Sequence, residues 1–383
     1  MERISAALDD MYGAYAEPIV RKKGELHCMG LYADFPDDRY IPGADNILEG
    51  VISLAGGILL SPDMRGGCLR SDYIDSEKKN LIDDIKAAIN DKRGYAVDRL
   101  LEEMCAGEAY GVNRLGSEAE AVSITPESLT AHYRKITGGS LVKIFYCGCA
   151  EPERVEAALR ASLEGLWLPA QGAAVHNDSE HGAAGRSSAG VPSTEVIFAP
   201  RGGSPRYFSD SLDVTQGKLT IGFRLGKTME NPDYPVLAVF NAIYGGSVSS
   251  KLFLNVREKL SLCYYASSMV DKHKGIMLVT SGVDFANFDK ARDEIVAQLE
   301  NVKKGDVTDT ELQSAKRSVV TAVKSAMDRP SGLEDLYFDS SIAAVYIDPD
   351  HLCGKIEAVT KDDVVSAASD ITLDSVYTMK GLV

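Results

Sequence analysis

Two stretches of this chain repeat one another, which limits it to a fold of two related halves. Ala33-Asp34-Phe35 returns as Val283-Asp284-Phe285, with Asp34 and Asp284 250 positions apart. Each follows a short alternating stretch opened by a Lys-Gly turn (Lys23-Gly24, Lys274-Gly275), and each precedes a helical pattern. Asp75-Ser76-Glu77 returns as Asp309-Thr310-Glu311 at a spacing of 234. Each opens a long helical pattern, with Ser76 or Thr310 expected near the N-cap and acid in the first turn. Ile124-Thr125 then matches Val359-Thr360, and Gly148 matches Gly381. The fall in spacing from 250 to 234 places an insertion of about sixteen residues in the first copy, at the Gly-rich Leu54–Gly67, read as a loop.

Between the copies, Gln171–Thr194 is rich in Gly, Ala and Ser and lacks apolar periodicity, as a linker does. The expected organisation is a first half at 1–170, a linker at 171–194 and a second half at 195–383. The counterpart of Met1 falls near Lys251. The first copy therefore lacks the equivalent of Glu195–Ser250, a segment with two strand patterns (195–199, 218–225) and a helical one (232–244). Such a half leaves strand edges that another element must cover. Further strands are expected at 26–33, 141–147, 264–271, 275–283 and 374–379, and long helices at 75–90, 92–106, 249–260, 286–301 and 307–327, among others. The fold class is α+β: in each half, a mostly antiparallel sheet packed by helices on one face.

At 383 residues the chain suffices for about two or three domains. A net charge of −15 argues against nucleic-acid binding, which needs clustered Lys and Arg. MERISAALDD has neither the basic nor the apolar region of a signal peptide, and the apolar run near Val51–Leu60 is too short to span a bilayer. Seven cysteines without framework spacing fit free thiols in a reducing cytoplasm, the expected location. Cys147-Gly148-Cys149 reads as a structural strand end.

The segment Tyr244–Tyr265, YGGSVSSKLFLNVREKLSLCYY, carries the candidate chemistry. Arg257 and Tyr264 are seven residues apart, two turns of a helix, and share a face if the helix persists. Both donate hydrogen bonds, and two converging donors suit a carbonyl oxygen gaining charge during amide cleavage. Taken alone, Arg257 beside an apolar face of Leu252, Phe253, Val256 and Leu260 reads as a solvated flank.

GGSVSSKLFLNVREKLSLCYY, together with DDMYGAY (Asp9–Tyr15) and the segment Ser76–Cys105, resembles the pitrilysin/insulinase family of zinc metallopeptidases, in its bacterial, processing-peptidase-like branch. The resemblance implies two α+β halves facing a chamber. It also implies that Arg257 and Tyr264 contact substrate near the scissile bond. Family peptidases hold zinc with H-x-x-E-H on a helix and a downstream Glu. None of the six histidines here lies four residues from another; His176 and His181, with Glu180 between, are five apart in the linker. The downstream ligand would fall on Asp84, whose shorter side chain moves the oxygen about 1.5 Å against a tolerance near 0.2 Å. Asp83 and Asp84 read instead as a solvated helix face.

The resemblance thus implies a non-catalytic subunit with no cofactor or metal ligand of its own. It would bind extended peptide at a sheet edge and supply Arg257 and Tyr264 to a zinc-bearing sibling, as a hetero-oligomer or a homodimer. The alternatives are the truncated remainder of an active zinc peptidase, whose upstream part would carry the motif, and a catalytically silent scaffold. No nucleic-acid or membrane partner is expected.

Overall fold

The structure is a computed structural model and describes residues 2–43, 46–166, 196–197, 200 and 203–382. In chain order it holds α1 (Glu2–Asp10), β1 (Tyr15–Lys23), β2 (Leu26–Asp34), α2 (Ile47–Leu60), β3 (Met64–Arg65), β4 (Cys68–Leu69), α3 (Ser71–Ala87), α4 (Lys92–Met104), α5 (Glu118–Ser123), α6 (Pro126–Gly139) and α7 (Pro152–Leu163). After the segment expected to be the linker, which lies outside the described residues, come β5 (Arg206–Leu212), β6 (Gly217–Arg224), α8 (Tyr234–Tyr244) and a π-helix (Leu252–Lys259). Then follow β7 (Cys263–Asp271), β8 (Ile276–Val283), α9 (Phe288–Lys303), α10 (Asp309–Met327), α11 (Pro330–Ile342), α12 (Pro349–Ala358), α13 (Lys361–Ser369) and β9 (Thr372–Gly381). The class is α+β.

The repeat is visible element by element. The β1–β2 and β7–β8 connections both turn at glycines of positive φ, Gly24 (+56°) and Gly275 (+69°), a conformation costly for residues with a Cβ. The matched threonines Thr125 and Thr360 both cap helices, α6 and α13, in reciprocal capping boxes with Ser128 and Asp363. Three expectations are corrected. Helix α3 starts at Ser71, five residues before Ser76, and α10 is capped by Thr308 with Glu311 rather than by Thr310. The Gly-rich Leu54–Gly67 is helical through Leu60, because Val51, Ile52 and Gly56 are buried along it; the rest enters the short β3–β4 hairpin.

Two compact units form. The described residues of 1–21, 27–83 and 117–192 make one; those of 22–26, 84–116 and 193–383 make the other. Residues 84–116 of the first copy are thus built into the second unit.

In the second unit, the strand order is β5-β9-β6-β8-β7, antiparallel except for the parallel β5–β9 pair. One face packs on α8, α9 and α13 through Leu219, Ile221 and Phe223 against Leu237, Phe240, Ile295 and Val364. Helices were expected on one face only, yet the other face is covered as well. Helix α4 covers it with Ala96, Leu100 and Met104 against Ile276, Leu278, Tyr377 and Met379. All eight positions of β8 are buried, as a strand covered on both faces requires. A polar seam fixes this packing. Arg224, fully buried, donates to Glu108 at 2.7 Å and to Asp374 at 3.0 Å, and Asp374 also accepts from Arg206 at 2.7 Å. Lys274 pairs with Glu25 and, at 2.6 Å, with Glu108.

The first unit has no such sheet among its described residues: β1 pairs with β2 and β3 with β4. Its apolar contacts are Ala14, Ile47 and Val51 in one cluster, and Leu48, Ile52, Val155 and Ala158 in another. The strand expected at 141–147 is absent. Its counterpart β9 is held by β5 and β6, and no equivalent strand flanks 141–147 among the described residues.

Candidate functional site

Helix α8 ends in Gly245, whose carbonyl accepts from the Ser268 backbone at 3.0 Å. A Cβ there would lie 2.6 Å from Ser268 Oγ and 2.7 Å from Leu252 Cδ1. Glycine is therefore required by close approach, and it pins the start of the candidate segment to β7.

The next turn of chain is not the α-helix expected over 249–260. Leu252–Lys259 is a π-helix, with the Leu260 amide bonded to the Asn255 carbonyl at 3.1 Å, five residues back. Buried Leu252 and Val256 hold it to the core, Asn255 Nδ2 donates to Gln298 Oε1 at 2.8 Å, and Lys251 pairs with Glu311 at 2.9 Å. Leu260, expected on the apolar face, is exposed. The helix stops at Lys259, Ser261 turns the chain at φ +48°, and Tyr264 stands on β7. Arg257 and Tyr264 therefore do not share a helical face. Pairing with the buried β8 captures Cys263-Tyr264-Tyr265 as strand, and aromatic residues suit that role.

Both side chains nonetheless face solvent. The Arg257 side chain is 41% exposed; its guanidinium stacks 4.7 Å from the Phe253 ring centre and sits 3.4 Å from Glu258. Tyr264 is 60% exposed. Cys263 stands opposite Val283 and Tyr265 opposite Gly282, so Tyr264 is the extra residue of a β-bulge. A bulge on an edge strand re-aims a side chain and occurs often beside active sites; β7 is such an edge. The Tyr264 hydroxyl donates to Asp284 Oδ1 at 3.3 Å. Between the two candidates lies buried Cys263. Burial holds its thiol above the ordinary range, with a bond to Ser281 and the charge of Arg257 opposing it only in part. Asp284 belonged to the repeat motif, but only the bulge shows it meeting Tyr264.

A second polar cluster was not foreseen. Asp339, buried on α11, accepts from Lys23 at 2.9 Å, Lys272 at 2.5 Å and His273 at 2.8 Å. Burial alone would raise its carboxyl; the His273 bond and the Lys272 and Lys23 contacts outweigh that and hold it far below the carboxylate range. Two cavities of the second unit, about 500 Å³ beside α4 and about 610 Å³ beside β5, are lined by neither Arg257 nor Tyr264.

Asp84 is exposed on α3, and His176, Glu180 and His181 lie outside the described residues. Among the described residues no three His, Cys, Asp or Glu side chains are grouped to hold a metal ion.

Residues 123–319 match the family described as Peptidase M16 inactive domain. The chain is also 31% identical over 374 residues to the probable inactive metalloprotease YmfF of Bacillus subtilis, spanning 98% of this chain and 83% of that protein. The chain belongs to the M16, or pitrilysin, peptidase family. A more distant relative, the uncharacterized zinc protease SCO5738 of Streptomyces coelicolor, is 22% identical across 80% of this chain and 64% of its own length. The fold matches a conserved protein from Enterococcus faecalis (TM-score 0.83, 24% identity, 100% of this chain and 85% of that one). It also matches a protease from Helicobacter pylori (TM-score 0.74, 15% identity, 98% and 84%). In this M16 chain the matched domain contains both Arg257 and Tyr264. No described helix is long and apolar enough to cross a membrane.

Proposed function

We propose that this M16 chain is a non-catalytic subunit. It grips an extended peptide and presents Arg257 and Tyr264 to the scissile amide at the zinc site of a motif-bearing sibling. The carrying observation is that both donors stand at the surface, Tyr264 aimed outward by the bulge in edge strand β7. A guanidinium and a phenol placed there can reach a substrate bound by another subunit, and each can donate to an oxygen that gains charge in the transition state. The likeness to a relative named as a probable inactive metalloprotease supports the same reading. The peptide would add as a strand, main chain to main chain, to a sheet edge.

The test is reconstitution. This chain, a motif-bearing sibling and a fluorogenic peptide are combined, and cleavage is followed for each protein alone and for the mixture. Cleavage only in the mixture supports the proposal. Full cleavage by the sibling alone, unchanged by adding this chain, contradicts it, as does cleavage by this chain alone.

A further inference from the structure

We infer that Cys147 and Cys149 are a thiol–disulfide site, closed to an intrachain bond by a low-molecular-weight disulfide and reopened by thiol. The inference is independent of the proposed function. The sequence makes Cys147-Gly148-Cys149 a structural strand end, but no strand forms there, and the chain instead bends at Gly148. A Cβ on Gly148 would stand 2.2 Å from the Tyr146 hydroxyl and 2.6 Å from Tyr146 Cζ, so the phenol fills the inner side of the bend. The same hydroxyl accepts from the Ala150 amide at 3.3 Å, and Tyr146 and Ala150 pack against the cluster of Leu48, Ile52 and Val155. The bend is thereby held to the core while its two thiols face solvent. Of the seven cysteines, all among the described residues, Cys105, Cys263 and Cys353 are buried, Cys28 and Cys68 are half-buried, and only Cys147 and Cys149 are exposed.

The spacing permits closure. Cα atoms two residues apart stand at most about 7 Å from each other in extended chain, and a bend brings them closer, into the range of about 4.4–6.8 Å that a disulfide spans. A cation is also at hand. The Arg39 guanidinium bonds Asp37 at 2.9 Å, and Asp37 first, then Cys149, hold it above its ordinary range. A cation beside a sulfur favours the thiolate, the form that attacks a disulfide. This makes Cys149 the attacking residue and Cys147 the resolving one. The Cys149 thiolate attacks one sulfur of glutathione disulfide, forms a mixed disulfide and expels one glutathione thiolate. The Cys147 thiolate then attacks the Cys149 sulfur, forms the intrachain bond and expels the second glutathione thiolate. Two electrons pass from the cysteine pair to the glutathione pair, and the two cysteine protons end on the released glutathiones. An exposed bond in so short a ring is of the readily reduced kind, so excess thiol reverses both steps.

The test treats the full chain with glutathione disulfide, traps remaining thiols with iodoacetamide and reads the digest by mass spectrometry. We expect the peptide holding both cysteines to lose two hydrogens and escape alkylation, and dithiothreitol to restore alkylation at both. Cys147→Ser should leave glutathione on Cys149. Cys149→Ser should slow capture at Cys147, and Arg39→Gln should slow capture at Cys149, each about 3–10-fold and without moving the unfolding midpoint. Full alkylation of both residues after excess glutathione disulfide overturns the inference. So do glutathione adducts that persist on the wild-type pair without closure, and so does capture at Cys28 or Cys68 as fast as at Cys149.

Discussion

The Tyr264 hydroxyl lies 3.3 Å from Asp284 Oδ1, joining the bulged residue of β7 to the residue that follows β8. This contact orients the ring without burying it. A single solvent-facing bond contributes little to stability. Tyr264→Phe should therefore leave the chemical-denaturation free energy within about 0.5 kcal/mol of the wild type. A larger loss would mean the phenol is a structural strut rather than an available donor.

Gly245 has no room for a side chain. A Cβ at this position would stand 2.8 Å from the Ser268 backbone nitrogen, which cannot retreat without losing its bond to the Gly245 carbonyl. Gly245→Ala should cost about 1–3 kcal/mol in urea unfolding. It should also speed hydrogen exchange at Ser268 selectively.

Arg224 is the centre of the buried seam. Arg224→Met leaves Glu108 and Asp374 buried without their shared cation, and loss of one partner of a buried pair typically costs about 3–5 kcal/mol. Equilibrium unfolding measures this directly. A loss below about 1 kcal/mol would show that water reaches the seam.

Asp339 sets a pH dependence. Its folded carboxyl titrates below the unfolded one, so its contribution is complete above the ordinary range near 3.9 and is lost as pH falls toward the folded value. Stability should fall with pH below about 4, and Asp339→Asn should flatten that slope while lowering stability at pH 7. An unchanged slope in the variant would assign acid sensitivity to other carboxylates, such as Glu108 and Asp374, which are also held low.

Much of the fold was legible because periodicity and duplication are local signals. The Lys-Gly turns before β2 and β8 and the alternation of both strands came from neighbouring residues alone. What failed depended on distant partners. Residues 141–147 have strand composition but no flanking strands among the described residues. The segment after Lys251 has helical spacing, yet Asn255–Gln298 and Lys251–Glu311 contacts accompany a wider coil, and β8 captures Tyr264. Helix α4 reads as amphipathic, but nothing in its sequence says that its apolar face meets a sheet from the other copy. Arg257 and Tyr264 were named as candidates from the sequence; the bulge and Asp284 that aim the phenol follow from strand register, which single-chain spacing does not encode.

The most direct measurement is peptide cleavage by the reconstituted pair with Arg257→Ala and Tyr264→Phe in this chain. Loss of one oxyanion donor typically lowers turnover about 10²–10³-fold, and each substitution should do so while complex formation persists. Cleavage at the wild-type rate in the double variant, with the complex intact, would contradict the claim that this subunit reaches the scissile bond.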